Sequence, residues 1–217
     1  MNAWVTGASG AWGGAVALEL LRRGYDVTAL GRHDAPALAA WATRLGRRWS
    51  FVPLDLSKVG AVPVEEAPEV LVHCAVSTAG DRDALVRANF VTPAGLIDAV
   101  AVAMRRRGDG RIGVFMAQNA RLGLAGLGDY SAAQGALWTW CEAMQDELAR
   151  GGDRVTLTRV IPPRTASAAQ RFVTERSGRS ARLHEPNAGP LVRAILAGKR
   201  RAGRRPLVVA LAMAVRG

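Results

Sequence analysis

Cysteine is scarce in this chain: its 217 residues hold two, Cys74 and Cys141, with no C-x-x-C pair and only three histidines, none of them clustered. That excludes a disulfide framework and a zinc site of clustered cysteines and histidines, and it leaves both thiols as reduced core residues. Lysine is nearly absent as well, limited to Lys58 and Lys199, so the net charge of +11 is carried by arginine. Aromatic residues make up 6% and are not interleaved with the basic ones, as a base-stacking surface requires, so nucleic acid is not an expected partner. The run Lys199-Arg200-Arg201-Ala202-Gly203-Arg204-Arg205 is where that alternative stays open. No apolar run approaches bilayer length, and no basic segment at the N-terminus leads into an apolar stretch with a small-residue cleavage site. Neither a membrane span nor a secretory signal is expected, and a cytoplasmic location follows. Linkers, repeats and low-complexity segments are missing too, so one domain over residues 1–217 is expected.

What the chain does have is glycine in a telling place. Val5-Thr6-Gly7-Ala8-Ser9-Gly10-Ala11-Trp12-Gly13 lies between a short apolar run and a long amphipathic one. A strand that ends in a glycine-rich turn opening a helix can take a dinucleotide pyrophosphate, because glycine lets the backbone approach it and the helix start offers unpaired N–H donors. Strands are expected at 2–6, 26–30, 49–54, 70–75, 112–117 and 155–161, with helices at 36–45, 82–106, 129–150 and 189–197 and another following the glycine loop. Gly24 closes that first helix. The run Val70-Leu71-Val72-His73-Cys74-Ala75 is near-continuous, as suits a central strand covered on both faces. A seventh strand is expected at 207–211, where Val208 and Val209 are β-branched and Pro206 fits a strand start. The alternation predicts an α/β fold: a single Rossmann-like, doubly wound parallel sheet of six to seven strands flanked by helices.

Over residues 2–165 the chain resembles the short-chain dehydrogenase/reductase superfamily. The family signature Thr-Gly-x-x-x-Gly-x-Gly matches Thr6 to Gly13, which places Gly7, Ser9, Trp12 and Gly13 at the cofactor. The resemblance further implies that Asp55, followed by Leu56, lies near the adenine, that Asn89 supports a water relay, and that Tyr130 is the proton-transferring tyrosine. Pro162 matches the proline after the sixth strand, and Thr165 lies near the usual threonine. Arg32 ends the second strand, where an NAD site usually offers a carboxylate and an NADP site an arginine, so NADP(H) is the implied cofactor. Asp34, two residues on, is the group through which a ribose contact stays open.

The catalytic half departs from the family pattern. The lysine expected four residues after the tyrosine is Gln134, and the serine expected thirteen residues before it is Ala117. An ammonium would favour the phenolate of a tyrosine that otherwise titrates near 10; glutamine brings no charge but can hold a ribose hydroxyl or a water. Gln118 and Asn119 are the candidate replacements for the serine as donors to a substrate carbonyl. His73-Cys74-Ala75 resembles the His-x-Ala form of other branches of the superfamily, which puts Ala75 beside the nicotinamide side and reads His73 as a packed strand-end residue. Trp138 and Trp140 lie on different faces of the tyrosine helix, where either a subunit contact or core packing accounts for them.

Three functions remain open at this level. One is an NADP(H)-linked oxidoreductase acting on a small carbonyl or alcohol, with Tyr130, Asn89, Gln134 and Gln118 in its catalytic set. Another is a non-redox enzyme on the same scaffold, performing isomerisation, elimination or cyclisation. The last is a catalytically silent nucleotide- or partner-binding homologue. A homodimer or homotetramer is implied by the resemblance, and the arginine-rich stretch of about 164–190 is expected to carry specificity for a small-molecule substrate.

Overall fold

A computed structural model of the chain describes residues 1–58, 64, 66–117, 122–177 and 183–203. Among these, seven strands form one parallel sheet in the order β3-β2-β1-β4-β5-β6-β7. The strands are β1 (Asn2–Thr6), β2 (Asp26–Gly31), β3 (Trp49–Pro53), β4 (Val70–His73), β5 (Asp109–Phe115), β6 (Arg154–Ile161) and β7 (Arg201–Gly203). Strand order reverses between β1 and β4, and the crevice at the carboxyl ends of those two strands is where open α/β sheets bind ligands.

Helices cover both faces. Helices α1 (Ala11–Arg22), α2 (Pro36–Arg44) and α7 (Gly189–Leu196) lie on one side. There Val16, Ala17, Leu20 and Leu21 meet Val5, Val27, Val72 and Val160 in one apolar layer, joined by Leu191, Val192 and Ile195. Helices α4 (Thr92–Arg107) and α5 (Gly128–Arg150) cover the other side, with Ile97, Val100, Met104, Leu137 and Cys141 against Leu71, Ile112, Val114 and Leu157. Helix α1 ends as its sequence predicts: Gly24 has φ +91°, and its N–H and that of Tyr25 donate to the Leu21 and Leu20 carbonyls. Both cysteines are free thiols.

Two expectations change. The helix foreseen at 82–106 is α3 (Arg82–Val86), a π turn (Arg87–Val91) and α4 in sequence. Pro93 has no N–H to give the Asn89 carbonyl four residues earlier, and the helix widens there instead of keeping its ordinary ladder. The same stretch, Arg82–Arg107, is long and apolar enough to cross a membrane by length and composition, contrary to the reading of the sequence. Its apolar positions are spent on the sheet, however, for Leu96, Ile97, Val100 and Met104 are fully buried. The expected strand at 207–211 lies outside the described residues. The strand beside β6 is β7, inside the basic run, placed by pairing of Arg159 with Arg201 and Ile161 with Gly203. The segment after β6 also contains a helix, α6 (Ala168–Ser177).

Trp138 is in the core and Trp140 is half-buried. The guanidinium of Arg159, a buried residue of β6, stands 4.8 Å from the centre of the Trp138 ring and pairs with Glu142. A cation held between an aromatic face and a carboxylate is tolerated where an unpaired one is not.

Candidate functional site

The cleft is built from the loop after β1. Gly7 has φ +71°, and a Cβ there would lie 2.8 Å from the Cα of Ala75; a Cβ on Gly13 would lie 2.1 Å from the Gly7 carbonyl oxygen. These two glycines are therefore demanded by the loop's own packing. Gly10 is extended and caps α1 without any side-chain hydrogen bond, and no acidic residue occupies the first turn. The first-turn N–H groups of Ala11, Trp12 and Gly13 have no intrahelical partners by helix geometry, so this end of α1 presents donors and partial positive charge to the crevice. Ser9 is exposed on the loop, and the Trp12 ring packs on Phe115 at the end of β5, centroids 5.8 Å apart.

Thr6 ties this loop to the one after β4. Its hydroxyl accepts from the N–H groups of Cys74 (3.1 Å) and Ala75 (3.2 Å) and lies 2.8 Å from Nδ1 of His73. With two donors already aimed at the oxygen, its hydrogen goes to Nδ1, which leaves the imidazole proton on Nε2. Burial pushes His73 down to about 4, so it is neutral and packed, as its place at a strand end led us to expect.

Beyond the carboxyl end of β2, Arg32 is exposed and makes no salt bridge among the described residues. Asp34 is occupied: its Oδ1 accepts from the Ala35 N–H at 2.7 Å and from Trp49 Nε1 at 2.9 Å. Asp55 accepts from the Ser57 hydroxyl (2.7 Å) and N–H (3.0 Å), and these bonds, with Lys58 and Arg32 nearby, hold its carboxyl below the usual range. Leu56 is buried with Leu30, Leu54 and Ala88 beneath this corner.

On the opposite side, Asn89 sits fully buried in the π turn. Its amide nitrogen donates to the carbonyls of Ser77 and Leu85, both at 2.9 Å, and its oxygen accepts from the Ser77 N–H at 3.0 Å. All of these partners are protein backbone, so Asn89 pins the loop that follows β4. Tyr130, near the start of α5, is buried; its ring meets Phe172 of α6 edge-on at 6.0 Å. Burial alone pushes its phenol up to about 12, with no charged group acting on it. Gln134, one turn further along α5, accepts from the N–H of Ala117 at 3.2 Å. The residues at the lysine and serine positions of the family are thus bonded to each other.

Gln118 and Asn119 lie outside the described residues. Pro162 follows β6 and is half-buried, and the Thr165 hydroxyl donates to the His184 carbonyl, joining the two ends of the segment that holds α6. The sequence did not reveal Ser77 as the partner of Asn89 or Phe172 as the partner of Tyr130. An aromatic residue inside an arginine-rich stretch was the only signal for the second.

The sequence profile of the NAD dependent epimerase/dehydratase family matches residues 3–112, and that of the short chain dehydrogenase family matches residues 69–178. No curated protein sequence matches the chain. Among solved structures, a variant of actinorhodin polyketide ketoreductase with NADPH is 20% identical and superposes with a TM-score of 0.76 over 94% of this chain and 95% of that one. A short-chain dehydrogenase from Sphingobium yanoikuyae in complex with NADPH is 20% identical, with a TM-score of 0.77 over 99% and 91%. A short-chain dehydrogenase from Streptomyces avermitilis is 22% identical, with a TM-score of 0.76 over 99% and 93%. At these identities the likeness is one of fold.

Proposed function

The chain belongs to the short-chain dehydrogenase/reductase superfamily, and on that premise we propose that it is an NADP(H)-linked reductase of small carbonyl compounds. The observation that carries this reading is the uncapped, acid-free start of α1 at the point where strand order reverses, with a buried neutral tyrosine on α5. The residues fit the dinucleotide. The loop from Gly7 to Gly13, with Ser9 and the Trp12 N–H, would hold the pyrophosphate, and Asp55 and Leu56 would border the adenine. Arg32 would take the 2′-phosphate, and the engagement of Asp34 with Trp49 supports this over a ribose contact. Ala75 and Pro162 would flank the nicotinamide end. Two solved proteins of this fold carry NADPH, which adds support.

When bound, the reduced dinucleotide supplies a hydride to the carbonyl carbon. Tyr130 donates its phenolic proton to the carbonyl oxygen and is reprotonated from solvent, so carbonyl, hydride and proton together make the alcohol. With a pKa of about 12 the phenol is fully protonated at pH 7, and only roughly one part in 10⁵ is phenolate. As an acid it is always loaded; as a base for alcohol oxidation it is nearly empty. The rate of reduction is expected to stay flat in pH across the neutral range, because the phenol is protonated throughout it. Gln118 would be a second donor to the carbonyl. Asn89 acts by holding the loop after β4.

Carbonyl-dependent NADPH consumption across a panel of small ketones and aldehydes tests the reading, and Tyr130→Phe is expected to lower it by about 10²- to 10⁴-fold, the usual contribution of a positioned acid. The bond between Gln134 and Ala117 favours a second reading, a non-redox or silent homologue, because it occupies both positions of the family's proton-handling pair. That reading is correct if NADPH binds and no substrate changes its absorbance. A homodimer or homotetramer in the cytoplasm goes with either reading, and exposed Val91 and Val102 along the π turn and α4 support contact there.

A further inference from the structure

We propose that Gln134 is a positioning residue: it fixes the end of β5 at the mouth of the cleft by taking the Ala117 N–H, a task that the lysine usual at this place cannot perform. The chain leaves its sheet at this point. Met116 N–H still donates to the Val160 carbonyl at 2.9 Å, and the next N–H, that of Ala117, points to the opposite edge, where β4 has already ended at His73. Ala117 N–H is the first donor past the ladder, and it finds an acceptor on a helix seventeen residues away. Since Tyr130 and Gln134 are four residues apart on one helix face, α5 is anchored to the strand end one turn from the tyrosine, on the face that carries it.

Chemistry makes the glutamine specific. An amide oxygen accepts; a lysine ammonium has three donors and no acceptor. Lysine at 134 would leave the Ala117 N–H without its partner and would bury a cation at a position only 4% exposed, beside a tyrosine on which no charged group acts. Alanine at 117 and glutamine at 134 are thus a matched pair, and restoring the family's lysine is expected to harm this protein.

Three measurements on the full chain decide it: hydrogen exchange of the Ala117 amide by NMR, NADPH affinity by titration, and carbonyl-dependent NADPH consumption. They compare the wild type with Gln134→Met, Gln134→Lys and Gln134→Glu. In the Met and Lys variants Ala117 exchange is expected to quicken about tenfold, the equivalent of one hydrogen bond, with a similar loss falling on kcat rather than on NADPH affinity. Gln134→Glu, which keeps an acceptor and can be buried in its neutral, protonated form, recovers slow Ala117 exchange relative to Gln134→Met. Fast exchange of Ala117 in the wild type overturns the proposal, as does a Gln134→Lys variant more active than the wild type. The kcat arm rests on the reductase reading. Slow, Gln134-dependent exchange in a protein that binds NADPH without consuming it supports the positioning role and overturns the reductase.

Discussion

His73 shows how one buried side chain sets a pH limit on the whole fold. Its imidazole is neutral when folded, with a pKa of about 4 against an unfolded value of 6.5. Between those values the unfolded chain binds a proton that the folded one refuses. The stability it contributes is complete above pH 6.5, falls as pH drops through the window from 6.5 to 4, and levels off below. A shift of this size corresponds to on the order of 3 kcal/mol. Urea unfolding midpoints measured from pH 7 to pH 4 should show that decline, and His73→Asn should remove this part of the slope. The position of His73 at a strand end was legible in the sequence, whereas its hydrogen bond to Thr6, 67 residues away, was not.

Among the elements, α1 and its loop are the most tightly specified. Gly13 admits no side chain, since a Cβ would meet the Gly7 carbonyl oxygen at 2.1 Å and its carbon at 2.6 Å, and neither backbone atom can give way cheaply. Gly13→Ala is expected to destabilise the protein by about 3 kcal/mol through overpacking, read as a lower unfolding midpoint with NADPH absent. The control is Gly10→Ala, where the nearest atom is 3.3 Å away. It should cost much less stability while weakening NADPH binding, because Gly10 caps the donor end of α1. The π turn makes a similar point. Asn89 makes three hydrogen bonds to backbone, so Asn89→Leu should loosen the loop after β4 and speed exchange of the Ser77 amide.

The whole molecule offers the simplest test of the cofactor. A ligand held only by the folded state raises the melting temperature by mass action, by about 2.7 kcal/mol of stability at one hundred times its Kd. NADPH and NADP should raise it more than NADH and NAD at equal concentration, and Arg32→Ala should erase the difference. If none of the four shifts the melting temperature at millimolar concentration, the α1 end is not a working dinucleotide site. The +11 charge adds a salt dependence to that binding, since arginine contacts to phosphate weaken as ionic strength rises.

Local chemistry by itself determined the strand–helix alternation, the glycine loop and the stop at Gly24, whereas Asp55, Asn89 and Tyr130 were singled out by the resemblance to a family. Periodicity, capping and turn preferences act over a few residues, and a short window contains all that they need. Tertiary structure alone decided that Asp34 is bound to Trp49, that Gln134 faces Ala117, that Tyr130 is buried under Phe172, and that the strand beside β6 is Arg201–Gly203. Each of these is a contact between residues fifteen or more apart in the chain. Nothing in the residue type distinguishes a glutamine holding a strand end from one holding a ribose; only the packing of α5 against β5 selects its partner.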